Sequence, residues 1–169
     1  MKNNLLKIFF LYLFLIGNSS AEQFTFQTKN IELVDEGNLI IANEGKAFSS
    51  NDSLEIEAKK FEYRKNLNTL KAFSGVAYLK DDNLKIEFDE INSNGLTLIT
   101  IAKDNVKIID LNGKVTIETN LISFDKKNRI LESKEKSIIK DKNNNILTGS
   151  FFSYNLKNGI IKIKDVNLK

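Results

Sequence analysis

The sequence predicts an all-β protein, a curved antiparallel sandwich or β-jellyroll of about five ~30-residue units. Three observations carry that reading: a fixed period, strict apolar alternation, and turn residues on the same beat. Alanine recurs at positions 42, 72 and 102. Ile56, Ile86, Ile117 and Leu147 follow at spacings of 30, 31 and 30, and Phe61, Ile91, Ile122 and Phe152 keep the same steps. Gly45, Gly75 and Asn105 repeat at 30. A unit this small buries its apolar face only against its neighbours, so stacking yields an extended surface rather than a pocket.

Within each unit a strand comes first. Leu54, Ile56 and Ala58 alternate with Glu55, Glu57 and Lys59, and the next unit repeats this with Leu84, Ile86 and Phe88 against Lys85, Glu87 and Asp89. The third places Val115, Ile117 and Thr119 against Thr116 and Glu118. Period two marks a strand with one dry and one wet face. Parity then changes, from Ile56 to Phe61 and Tyr63, from Ile86 to Ile91, from Ile117 to Ile122 and Phe124, and from Leu147 to Phe152 and Tyr154. A one-residue slip turns side chains to the wrong face unless the strand bulges or bends there. Either each strand bends at a matching place and the sheet curves in one sense, or each run is two short strands with an irregular join.

Turns come next: Gly37-Asn38 in a partial first unit over residues 31–49, then residues 64–68, Asn94-Gly95, residues 125–128 and residues 155–159. Asn, Asp and Gly tolerate turn dihedrals. Return segments begin at Leu70, Leu96, Arg129 and Ile160, and shorter strands follow around Val76 to Leu79, Val106 to Ile109 and Ile138-Ile139. A parallel β-helix also accommodates a thirty-residue β repeat. Hairpin chemistry between half-units favours the antiparallel jellyroll or sandwich.

Residues 1–21 are expected to be a signal peptide, leaving residues 22–169 as one domain. Lys2 opens the segment, Ile8 to Ile16 is an unbroken apolar run, and Ser19-Ser20-Ala21 offers small residues for cleavage. Nine residues rise only about 14 Å as a helix, too short for a hydrocarbon core of roughly 30 Å. Cleavage removes Lys2 and Lys7, so 25 basic residues become 23 against 22 acidic ones, a net charge of +1. That balance, without a basic stripe carrying stacking aromatics, argues against nucleic acid.

The chain has no Cys, His, Trp or Pro. Structural zinc sites and Ser-His or Cys-His nucleophilic systems are therefore excluded. Glu55, Glu57, Glu87 and Glu118 recur on the wet face, where solvated charge is the ordinary arrangement rather than acid-base catalysis. Asp141, Asn143 and Asn145 imitate the opening of a calcium loop, but Ile146 stands where Gly is needed and Phe152 where the bidentate Glu belongs. No enzyme activity, cofactor or metal is expected.

Residues 54–63 (LEIEAKKFEY) and 70–78 (LKAFSGVAY) resemble the OstA-like repeat of lipopolysaccharide transport, found in LptA and in the periplasmic amino-terminal domain of LptD. Residues 106–110 and 115–119 are similar in weaker form, and the likeness covers residues 24–169. It implies a slightly open jellyroll holding lipid A acyl chains in an apolar trough. It further implies domains joined end to end by edge-strand pairing, bridging inner and outer membrane machinery. Expected partners are lipopolysaccharide, the LptC-like, LptA-like and LptD jellyroll domains, and further copies of the chain head to tail. The implied localisation is periplasmic after export, with outer-membrane association where the bridge ends. Length and single domain suit an LptA-like shuttle; an isolated LptD domain and an anchored LptC-like protein are the alternatives.

A trough of that kind would be lined by Ile56, Phe61, Tyr63, Leu70, Val76, Tyr78, Ile86, Phe88, Ile91, Ile117, Ile122, Phe124, Phe152 and Tyr154. At about 0.8 kcal/mol per methylene, an acyl chain of roughly a dozen methylenes costs near 10 kcal/mol to hold in water. A carrier therefore needs a continuous apolar lining. Edge docking is expected at the two chain ends, through Phe24 and Phe26 at the start and Ile161 and Ile163 at the finish, because unpaired edges invite strand addition. The competing reading is a structural or adhesive exported β-repeat protein with a closed core and no lipid ligand.

Overall fold

The computed structural model describes residues 24–49 and 53–168; the expected signal peptide lies outside the described residues. Each ~30-residue unit is a hairpin of two long strands, as period-two alternation demands. The strands are β1 (Phe24–Val34), β2 (Leu39–Ser49), β3 (Leu54–Arg64), β4 (Thr69–Leu79), β5 (Leu84–Asn94), β6 (Ile99–Asp110) and β7 (Val115–Asp125). Six shorter ones follow: β8 (Ile130–Ser133), β9 (Ser137–Asp141), β10 (Ile146–Gly149), β11 (Phe151–Asn155), β12 (Ile160–Lys164) and β13 (Asn167–Leu168). Strands β1 to β7 form an antiparallel meander. Beyond it, β7 pairs with both β8 and β9, β8 with β11, and β9 with β10. Strands β8–β9, β10–β11 and β12–β13 are thus three interrupted paths, and the 13 strands of the described residues make five hairpins.

Every long strand bends at its midpoint. Pairing of β2 with β3 jumps from Asn43↔Lys60 to Gly45↔Ala58, and β3 with β4 from Ala58↔Gly75 to Lys60↔Phe73. The residues at the jumps in even strands are left-handed: Glu44 at φ 49°, Ser74 at φ 52°, Asp104 at φ 59° and Asn105 at φ 50°. Strand β6 has 12 residues where β1 to β5 and β7 have 11, and its register slips between Lys103 and Val106. That extra residue is the physical origin of the single 31-residue spacing in the sequence. The return segments and short strands expected separately in the first three units are single bent strands, because the parity slip occurs in even strands as well as odd ones.

The bends fold the sheet into two facing wings. Phe26 in the first half of β1 meets Phe61 in the second half of β3 with ring centroids 5.8 Å apart, and Phe24 meets Tyr63 at 5.6 Å. Turns at residues 35–38, 65–68, 95–98, 126–129 and 156–159 cap the second wing. They continue the ladder from tip to tip: the amides of Lys65, Gly95, Lys126 and Leu156 donate to the carbonyls of Asn38, Asn68, Leu98 and Arg129.

Candidate functional site

The two inner faces together carry apolar rows that run across the sheet. Directly paired residues share a face. On the first wing one row passes through Phe26, Ala47, Ile56, Ala77, Ile86, Ile108, Ile117, Ile139 and Leu147. On the second wing another passes through Ile31, Ala42, Phe61, Ala72, Ile91, Ala102 and Ile122, and Phe152 pairs with Ile163 near the far edge. On the second wing large residues come from odd strands and alanines from even ones; on the first wing Ala47 and Ala77 follow the same rule while β6 supplies Ile108. That alternation explains the alanine period. A second row on this wing, through Tyr63, Leu70 and Phe124, is interrupted by Ser93 and Thr100, whose hydroxyls satisfy each other in a 2.8 Å hydrogen bond.

Eleven of the fourteen expected lining residues are buried on these faces: Ile56, Phe61, Tyr63, Leu70, Ile86, Phe88, Ile91, Ile117, Ile122, Phe124 and Phe152. Tyr154 is half-buried and packs against the same core. Val76 and Tyr78 are not part of the lining. The left-handed Ser74 reverses parity within β4, sending Ala77 and Leu79 inward and setting Val76 opposite Glu57 and Glu87 on the outer face. Sequence reasoning missed Ala77, Leu79, Ile108, Leu131 and Ile139; the same slip applied to β4 and β6 finds the first three, while Leu131 and Ile139 lie on the interrupted β8–β9 path. The groove pictured from the sequence as accessible is filled by its own side chains in this conformation.

Both expected docking edges are real sheet edges. Strand β1 pairs with β2 alone, and β12 with β11 alone, among the described residues. Phe24 is buried, while Phe26, Ile161 and Ile163 are half-buried, all four packing into the groove. Ile31 and Leu33, 53% and 63% exposed, continue the apolar face to the rim of β1.

The outer face is ionic. Glu55 accepts from Lys46 Nζ at 2.7 Å and Lys80 Nζ at 2.5 Å, Glu87 pairs with Lys85 at 2.7 Å, and Glu118 with Lys107 at 3.4 Å. Glu57 lies 3.6 Å from Lys46, so each recurring glutamate has a lysine partner. Hydrogen bonds from Lys46 and then Lys80 hold the Glu55 carboxyl below its ordinary range, against the opposing effect of burial. A folded value below the unfolded one gives stability that is complete above the unfolded value of ~4.3 and is lost as pH falls through the folded one. Glu55→Gln is therefore expected to lower the urea midpoint at pH 7 and to flatten its decline below pH ~4.3. An unchanged acid limb in the variant would refute the assignment. At the β9–β10 turn, Asp141 accepts the amides of Asn143 at 2.8 Å and Asn145 at 2.9 Å, so the calcium-like motif serves as a turn clasp.

No curated protein matches the chain in sequence. Among solved structures it is similar to LptH, the LptA-homologous periplasmic component of the lipopolysaccharide transport device from Pseudomonas aeruginosa, with 11% identity and a TM-score of 0.46. That likeness covers 88% of this chain and 94% of the other. The family model for OstA-like proteins matches residues 31–168, almost the whole of the bent meander and its apolar rows. The chain belongs to the OstA-like family.

Proposed function

We propose that this protein is a periplasmic component of lipopolysaccharide transport that receives lipid A acyl chains between its two wings and passes them on without covalent chemistry. The observation that carries this reading is the pair of apolar faces spanning the sheet between its free edges, within a chain of the OstA-like family. An enclosed core needs only local apolar contact, whereas a conduit needs apolar surface that continues to its ends. Ile31 and Leu33 at one rim, and the half-buried Ile161 and Ile163 at the other, extend the lining to both edges. Edge β1 and edge β12 would pair with LptC-like, LptA-like or LptD jellyroll domains, or with each other in head-to-tail copies, aligning grooves into a bridge between the membranes.

The buried lining favours the competing reading, a structural protein with a closed core, and one experiment separates the two. A photoreactive phenylalanine analogue at Phe61 or Phe124 is irradiated in cells making lipopolysaccharide. The expected result is a lipopolysaccharide adduct at both positions, with none at the outer-face position Val76. Absence of any adduct at Phe61 and Phe124, in folded and exported protein, supports the closed core.

A further inference from the structure

Acyl chains reach the lining only if the wings part, and specific interactions join the wing tips. At the β1 end they are aromatic, Phe24 against Tyr63. Further along, they are ionic. Asp82 lies in the short helical turn after β4 (Lys80–Asp82), at the tip of the first wing. Arg129 closes the 126–129 turn, at the tip of the second, in a left-handed conformation with φ 57°. The Arg129 guanidinium donates to the Asp82 carboxylate across the mouth of the groove, 47 residues away in sequence. The Asp82 side chain is 8% exposed and the Arg129 side chain 35%. Beneath this pair Leu54 and Leu79 of the first wing face Phe124 of the second around a recess of 50 Å³. That volume admits a few waters and no alkyl chain.

Tyr154, on the second wing, lies in the field of the same cluster. Burial first, then the Asp110 and Asp82 carboxylates of the first wing, raises its hydroxyl above the ordinary range. Ser53, Lys80, Asp81 and Lys126 line the same recess, so the mouth of the groove is polar here above an apolar floor of Leu54, Leu79 and Phe124.

Resting on the carrier reading above, we propose that the Arg129–Asp82 pair is a latch that holds the wings shut over the acyl-chain groove and opens when lipid is loaded. A buried carboxylate without its cation is costly, so loss of the pair drives Asp82 toward water, which separates the tips. The bends supply the hinge: left-handed residues at Glu44, Ser74, Asp104 and Asn105 interrupt the even strands at mid-length, where pairing is already broken. Entering alkyl chains then take over the apolar packing that the parted wings give up, and the open state is favoured by its greater affinity for lipid.

The latch is tested on the full chain in two ways. With no native cysteine, spin labels go only where placed, at Leu96→Cys on a second-wing turn and Leu111→Cys on a first-wing loop, both exposed. Arg129→Gln, which takes the guanidinium away from the carboxylate, is expected to move the label-to-label distance outward by several ångströms, with Asp82→Asn producing a smaller shift. Circular dichroism verifies that the sheet is retained. In parallel, crosslinking of lipopolysaccharide at Phe61 is expected to rise several-fold in Arg129→Gln. An unchanged distance in both folded variants overturns the latch, even where lipid adducts form. Tips that open while neither wild type nor variant yields an adduct leave the latch standing and overturn the carrier reading instead.

Discussion

Phe61→Ala is expected to remove about 4 kcal/mol of folding stability, near the middle of the range for deleting a buried aromatic ring. Phe61 is fully buried just past the bend of β3. Its neighbours in the row are Ala42 on one side and Ala72 on the other, neither long enough to fill the space left behind. Across the groove the Phe26 ring reaches it, at 5.8 Å, from a half-buried position on an edge strand. Large residues from odd strands do the filling at this level, so the cavity persists and its cost adds to the lost transfer energy. Phe26→Ala should cost less than half as much, since that side chain keeps one side open to solvent. Urea denaturation of both variants supplies the comparison. A loss below ~2 kcal/mol at Phe61 would mean that the groove collapses readily or already admits water, and the packed interior described above would be wrong.

How legible this protein was depends on which strand is considered. In odd strands the charged residues between Leu54 and Ala58, or between Leu84 and Phe88, leave no ambiguity about the dry face. Three parallel slips, from Ile56 to Phe61, Ile86 to Ile91 and Ile117 to Ile122, located bends in β3, β5 and β7, while the fourth, from Leu147 to Phe152, falls on the break between β10 and β11. Even strands speak more quietly. Strand β4 reads Leu70, Ala72, then Val76, Ala77, Tyr78 and Leu79, four apolar residues in succession, and alternation alone cannot choose a face within such a run. Only Ser74 in the left-handed region settles it, and a dihedral is not written in a serine. The Arg129–Asp82 pair lay beyond reach for another reason. It joins tips of opposite wings, and the crossing of those wings arises from bend angle and sheet twist rather than from any periodicity. The family likeness, carried by residues 54–78, pointed to the fold that the bent meander displays; whether lipid enters is a question of motion between the wings.

Gly75→Ala should be strongly damaging for a single added methyl, at about 3 kcal/mol, the upper part of the overpacking range. The backbone at Gly75 is not left-handed, so conformational freedom is not the reason for glycine there. Proximity is. A Cβ built at that position lies 2.2 Å from the Glu57 carbonyl oxygen and 2.9 Å from the Ala58 Cα, both backbone atoms of β3. A bend forces neighbouring strands together on its concave side, and a glycine lets them touch. Gly45 occupies the same place one unit earlier, with a Cβ 2.3 Å from the Gln27 carbonyl oxygen of β1. Its neighbour is an edge strand, free to shift outward, so Gly45→Ala is expected to cost roughly half as much as Gly75→Ala, whose neighbour is held by β2 on its far side. Gly159 supplies the contrast: φ is +71° and nothing lies within 4 Å, so Gly159→Asn, which tolerates that region, should shift stability by no more than about 0.5 kcal/mol. Thermal or urea unfolding of the three variants gives the ranking Gly75, then Gly45, then Gly159. Equal losses at Gly45 and Gly75 would show that β1 is held as firmly as an interior strand, and an edge held that firmly without a partner would be a poor docking site.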